Sequence, residues 1–158
     1  MNNYNEIIKM IPHLLEGERN FITNSANFSA IIFENVSDLN WVGFYIFNGK
    51  ELVLGPFQGK NACVRISLDK GVCGYSATRK ETVIVDNVHE FPGHIACDAN
   101  SKSEIVIPIL QNNEPYAILD IDSPIFSRFS AIEKDFFENA LKVFLEHTDL
   151  KDIKDIFK

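Results

Sequence analysis

The sequence predicts an α+β domain with a central antiparallel sheet of about six strands, helices packed on one face, and one long loop that carries the site. Three observations predict it. Apolar residues recur at helical spacing toward both ends of the chain, alternating and β-branched segments fill the middle, and a stretch dense in turn formers interrupts them. The 158 residues, 46% of them hydrophobic and 23% charged, suit one domain that buries a core and folds alone. Residues 1–158 are therefore read as a single domain.

From Asn5 to Val36 the positions Ile7, Ile8, Ile11, Leu14 and Leu15, then Phe21, Ile22, Ile31, Ile32 and Phe33, predict two helices over residues 1–36, broken near Gly17. Trp41 to Phe47 and Glu51 to Phe57 are rich in aromatic and β-branched residues and flank Asn48-Gly49-Lys50, a hairpin signal. A third strand is predicted over Cys63 to Ser67, followed by a short helix from about Gly71 to Arg79, capped by Asp69, whose glycines allow close approach. Thr82 to Asp86 reads as strand. Residues 87–103 hold Pro92, Gly93, Asn100 and two serines, so they form a long loop, a feature often functional in compact domains. Glu104 to Leu110 and Tyr116 to Asp122 flank a turn at residues 111–115 and complete a sheet over residues 40–122. Residues 130–147 form the last helix, with Ser130 and Glu133 as a capping box. Residues 148–158 read as a charged tail with no assigned role.

A formal net charge of −7 and a pI near 5.0 exclude a phosphate-binding surface and hence a nucleic-acid partner, because no clustered Lys and Arg are available to displace counterions. The apolar run Ile105 to Leu110 is too short to span a bilayer, and Met1-Asn2-Asn3-Tyr4-Asn5 lacks the form of a signal peptide. A cytoplasmic protein without a membrane partner is expected. Three cysteines then exist as thiols rather than as a disulfide framework.

The thiol of Cys97 lies in Gly93-His94-Ile95-Ala96-Cys97-Asp98, a polar loop rather than an apolar periodic face, which makes it the best candidate nucleophile, with His94 three residues before it. Cys63 opens a strand and Cys73 stands at a presumed helix start, where the dipole favours a thiolate; either could resolve an oxidised Cys97. Spacings of ten and twenty-four residues contain no Cys-x-x-Cys knuckle and only His94 offers a fourth ligand, so no metal and no other cofactor is expected. Asp120 and Asp122 occupy alternate positions of an apolar strand and share one face. Solvent-facing aspartates are the ordinary explanation; the functional one joins them to Glu104 across the hairpin, where mutual repulsion keeps one carboxyl protonated near neutral pH. Trp41 and Tyr45, four apart on a strand, share a face as core or as an aromatic wall for a cationic or sulfonium-like group.

The blocks Asn40-Trp41-Val42-Gly43-Phe44-Tyr45, Leu54-Gly55-Pro56-Phe57-Gln58-Gly59-Lys60, Gly71-Val72-Cys73-Gly74, Gly93 to Asp98, Ser103-Glu104-Ile105-Val106 and Leu119-Asp120-Ile121-Asp122-Ser123 together resemble the free methionine-(R)-sulfoxide reductases, single-domain GAF proteins. The resemblance runs from about Ala26 to Phe137. It implies a GAF-like fold and reduction of free methionine sulfoxide, with Cys97 attacking the sulfoxide sulfur and becoming a sulfenic acid. It also implies Cys63 as resolving thiol, Cys73 as a third cysteine that substitutes as resolver or acts in binding, and Glu104, Asp120 and Asp122 as substrate-binding carboxylates. Trp41 and Tyr45 would enclose the methyl-sulfur end, and thioredoxin would reduce the resulting disulfide. A homodimer is left open. The chain departs from the pattern at Tyr116-Ala117, where the family has a small glycine, and in its charged tail. Two other readings compete: a GAF module that binds a cyclic nucleotide or bilin, and a bare redox sensor whose Cys97 and Cys63 form a regulatory disulfide.

Overall fold

The computed structural model describes residues 3–93, 98–151 and 153–158. Two helices come first, α1 (Tyr4–Leu14) and α2 (Phe21–Asn35), and both start on an asparagine side chain: Asn3 accepts from the Glu6 amide and Asn20 from the Thr23 amide. Between them Gly17 takes φ +78°, the left-handed conformation that ends a helix at low cost for glycine. The strands are β1 (Trp41–Phe47), β2 (Glu51–Gly59), β3 (Arg65–Ser67), β4 (Val83–Val85), β5 (Ser103–Gln111) and β6 (Glu114–Ser123), with α3 (Gly71–Arg79) inserted after β3 and α4 (Ala131–Glu146) closing the domain. They form one antiparallel sheet in the order β3-β2-β1-β6-β5-β4.

Two hairpins set the register. Asn48 receives hydrogen bonds from the amides of Lys50 and Glu51 at 3.0 Å and shapes the β1–β2 turn. In the β5–β6 hairpin Gln111 pairs with Glu114, and Asn112 and Asn113 both lie at positive φ (53° and 60°), the two-residue turn whose twist matches that of the strands.

Helices α1, α2 and α4 cover one face. Val42, Phe44, Ile46, Ile105, Ile107, Ile109, Leu119 and Ile121 point into that layer and meet Phe28, Phe137 and Phe144. Phe44 stands at the centre, 5.7 Å from Phe21, 5.8 Å from Phe28 and 5.4 Å from Phe144 between ring centroids. The capping box at α4 is present: Ser130 and Glu133 bond reciprocally, and Tyr4 of α1 donates to Glu133 at 2.8 Å. These three helices match the one-face arrangement. The short α3 lies on the opposite face, where Val72, Cys73 and Ala77 join Trp41, Tyr45, Val106 and Ile118 in a second buried cluster. Gly74 permits this seat, because a Cβ there would lie 2.7 Å from the carbonyl oxygens of Ser67 and Leu68.

Local differences from the sequence expectations have local causes. Residue Lys70, in extended conformation, precedes α3 with no side-chain cap, and Asp69 does not serve as one. Strands β3 and β4 keep three residues each, because as outermost strands they pair on one side only. Among its described residues the loop at 87–103 contains one 3-10 turn, Val88–Glu90, started by Asn87 accepting from the His89 amide. The described part of the tail, residues 148–151 and 153–158, is packed rather than free. Leu150, Ile153 and Phe157 rest on the main core, Asn48 donates to the Phe157 carbonyl at 2.9 Å, and Asp149 pairs with Arg19 at 2.7 Å. Tyr116 donates its hydroxyl to the Lys151 carbonyl at 2.7 Å, so the two departures from the family pattern touch each other.

Candidate active site

Antiparallel pairing lines up the candidate residues. Trp41 stands opposite Asp122 and Asp122 opposite Glu104, a row of side chains crossing β1, β6 and β5; in the next row Gly43 stands opposite Asp120 and Asp120 opposite Val106. The row lies on the face covered by α3. The solvent-facing explanation for the aspartates therefore does not hold: Asp120 is 6% exposed, Glu104 5%, and Asp122 is partly buried. Alternation placed them on one face, and that face is a second interior.

The aromatic wall depends on a missing side chain. A Cβ on Gly43 would fall 2.5 Å from the Trp41 ring and 2.4 Å from the Phe57 Cβ, so only glycine leaves room for the indole to lie along β1. Trp41 stacks on Phe57 (5.2 Å, 16°) and on Tyr45 (5.8 Å, 27°), and its Nε1 donates to the Lys60 carbonyl at 3.1 Å. Tyr45 donates its hydroxyl to the Cys63 carbonyl at 2.9 Å, tying the wall to that cysteine's backbone.

Cys73, in the first turn of α3, points its sulfur at the carboxylates: Sγ is 3.4 Å from Asp120 Oδ2 and 3.7 Å from Glu104 Oε1. Burial raises Asp120, Glu104, Asp122 and the Cys73 thiol. Asp120 is pushed up from 3.8 to about 6 by burial, against hydrogen bonds from Cys73 and Glu104. Glu104 is held well above the usual carboxylate range by burial and then by the charges of Asp120 and Asp122. Asp122 is raised likewise by burial, Asp120 and Asp98. Burial and the same carboxylates push the Cys73 thiol well up, so it stays neutral and donates. The cluster shares protons and titrates as a unit. Asp120 Oδ1 is buried and has no hydrogen-bond partner among the described residues.

A second polar set escaped the sequence reading. Asn40, just ahead of β1, donates its side-chain amide to Asp98 Oδ2 and to Ser101 Oγ, both at 3.0 Å, while its backbone amide donates to the Asp122 carbonyl. Asp98 and Ser101 belong to the long loop, so Asn40 fastens that loop to the end of β6. The available signal was the Asp98-x-x-Ser101 turn, in which Asp98 accepts from the Asn100 and Ser101 amides, following directly on the thiol segment.

Together these groups enclose a cavity of about 40 Å³, lined by Trp41, Tyr45, Cys73, Asp98, Ser101, Glu104, Asp120 and Asp122 and, among the described residues, by no Lys or Arg. Ligand pockets usually measure roughly 300–1,000 Å³, so this one is small, with room for only a few water-sized groups. Cys63 is engaged in a disulfide, and Cys73 is a free buried thiol. Cys97 and His94 lie outside the described residues. No helix among the described residues is long and apolar enough to cross a membrane.

The sheet order, the helix layers and an acidic cavity under α3 define a GAF domain, and residues 23–141 match the GAF domain family. The chain is 47% identical over 127 residues to the free methionine-R-sulfoxide reductase of Escherichia coli, covering 80% of this chain and 77% of that one. The fRMsr of Staphylococcus aureus in its reduced form superposes with a TM-score of 0.89 at 45% identity, covering 93% of this chain and 96% of that one; its complex with substrate gives 0.88 at 44%, with the same coverage. This chain belongs to the free methionine-R-sulfoxide reductase family, a group of oxidoreductases within the GAF fold.

Proposed function

We propose that the protein reduces free L-methionine (R)-sulfoxide to methionine. The single observation that carries the reading is the carboxylate trio of buried Glu104 and Asp120 and partly buried Asp122, beside the Trp41–Tyr45 wall and with no cationic side chain among the cavity's described lining. Such a pocket calls for a cationic ligand, which the ammonium of a free amino acid supplies and a peptide-bound methionine does not. Its close relatives include a structure described as a complex with substrate, which supports the same choice.

A sulfoxide is a poor electrophile until its oxygen is protonated. A cluster that retains a proton at neutral pH provides that acid, and the Cys97 thiolate attacks sulfur. The sulfoxide gains two electrons and leaves as methionine; Cys97 loses two and keeps the oxygen as a sulfenic acid. The Cys63 thiol then condenses with it, releasing water and leaving a disulfide, which thioredoxin returns to two thiols. Cys63 suits resolution better than Cys73, since Cys63 is engaged in a disulfide whereas burial and three carboxylates keep Cys73 a neutral donor. In this scheme Cys73 positions Glu104 and Asp120.

The test is an assay of separated R and S epimers of free methionine sulfoxide, with a peptide-bound control, using thioredoxin or dithiothreitol as reductant. Consumption of the free R epimer alone, abolished by Cys97→Ser, is the expected result. Unchanged turnover by Cys97→Ser removes that thiol from the mechanism, and tight cyclic-nucleotide binding without reduction favours the sensor reading instead.

A further inference from the structure

We propose that Cys73, Glu104 and Asp120 form a site for one thiophilic divalent cation, Zn²⁺ above all, and that its occupation closes the pocket to substrate. This is not the three-cysteine centre that the spacing disfavours; it uses one thiol and two carboxylates from α3, β5 and β6. Their ligand atoms all lie within 4.8 Å of one another, and all three residues are buried.

The separations suit a metal. With Zn–S of about 2.3 Å and Zn–O of about 2.1 Å, a tetrahedral angle places sulfur and oxygen about 3.6 Å apart. The two observed sulfur–oxygen distances, 3.4 Å to Asp120 and 3.7 Å to Glu104, bracket that value. The unpartnered Asp120 Oδ1, on a side chain 94% buried by its 6% exposure, is a second and separate sign that a ligand is wanted there. Three protein ligands leave the fourth position facing the cavity, the arrangement of an open rather than a closed zinc site. A thiolate beside carboxylates selects Zn²⁺ over Mg²⁺ or Ca²⁺, which prefer oxygen alone. An ion in this position occupies the carboxylates that hold the ammonium and protonate the sulfoxide, so its inhibitory effect rests on the reductase reading, whereas its binding does not.

The experiment uses the oxidised full-length protein, in which Cys63 is disulfide-bonded, and titrates it with Co²⁺ as a spectroscopic stand-in and with Zn²⁺ against a chromophoric chelator. One equivalent should bind with a thiolate-to-cobalt charge-transfer band that Zn²⁺ displaces, that Cys73→Ser removes, and that Asp120→Asn weakens at least tenfold in affinity. Absence of the band in the unaltered protein, or its persistence in Cys73→Ser, overturns the site. With binding established, Zn²⁺ should raise the apparent KM for free methionine sulfoxide at least tenfold with kcat unchanged, reversed by EDTA. A fall in kcat at constant KM overturns the blocking role while leaving the reductase reading intact, and a protein that binds the ion but reduces no sulfoxide overturns the reductase reading alone.

Discussion

Asp120 sits between a thiol and a second carboxyl with no cation among the described residues lining the cavity to balance it, and its protonation therefore affects both folding and chemistry. Its pKa is raised from 3.8 unfolded to about 6 folded, so the native state binds more protons in that interval. The stabilising effect of the proton is complete below pH 4 and is lost as pH rises through about 6, a change on the order of 3 kcal/mol for the two-unit shift. Glu104 and Asp122 are raised as well and contribute with the same sign. Glu133 acts oppositely. Burial works against it, yet bonds from Ser130 and Tyr4 bring it from 4.5 down to about 2, and its contribution disappears only as pH falls below 4.5. Thermal melts between pH 5 and 8 thus isolate the acidic cluster: Tm should fall across that range, and Asp120→Asn should narrow the difference while reducing kcat/KM. A melt curve equally steep in Asp120→Asn would show that the burial of this group has no such cost. Asn40→Ala removes two hydrogen bonds to the loop, each worth about 1 kcal/mol, and should raise KM roughly tenfold with less effect on kcat, as read from initial rates.

At the level of elements, β1 carries the site because one of its residues is absent in all but backbone. Gly43→Ala forces Trp41 or Phe57 to shift and should destabilise the protein by about 1–3 kcal/mol while raising KM, since the wall moves with it; urea unfolding and steady-state kinetics check the two parts. The hairpins and the last helix were legible because their signals are local: Asn48-Gly49, Asn112-Asn113 and the Ser130–Glu133 box each act within a few residues. The placement of α3 was not, because nothing in Gly71 to Arg79 says which side of a sheet it will cover, and the choice follows from Gly74 seating against Ser67 and Leu68. The terminal segment was equally silent. Its apolar Leu150, Ile153 and Phe157 are too widely spaced among charges to announce packing, and they gain meaning only through Tyr116. Tyr116→Phe should lower stability by about 1 kcal/mol by losing its bond to Lys151, with no change in kcat.

For the molecule as a whole, the sheet separates two interiors of different character. The face under α1, α2 and α4 is aromatic and aliphatic throughout, whereas the face under α3 holds carboxylates that no cation among the described residues offsets. The candidate carboxylates were legible as a trio because alternation and the hairpin align them, but whether they met water or a second interior depended on α3. A cavity of only about 40 Å³ in a form with Cys63 oxidised leads to a whole-molecule expectation: free methionine sulfoxide should bind at least tenfold more weakly to the oxidised protein than to a reduced Cys97→Ser variant, by calorimetry.

The turn at Asn112 and Asn113 lies some eight residues from the Glu104–Asp122 pair, yet together with the one-residue register shift between Ile109 and Leu110 it dictates which strand positions meet there. Gain or loss of one residue within β5 or β6 that the turn failed to absorb would rotate every later side chain to the other side of the sheet, sending Asp120 and Asp122 among the phenylalanines and Leu119 and Ile121 into the pocket. Length in this stretch is thus under tighter constraint than composition: substitutions can be graded in their effects, but a single-codon insertion or deletion erases the acid and the core together.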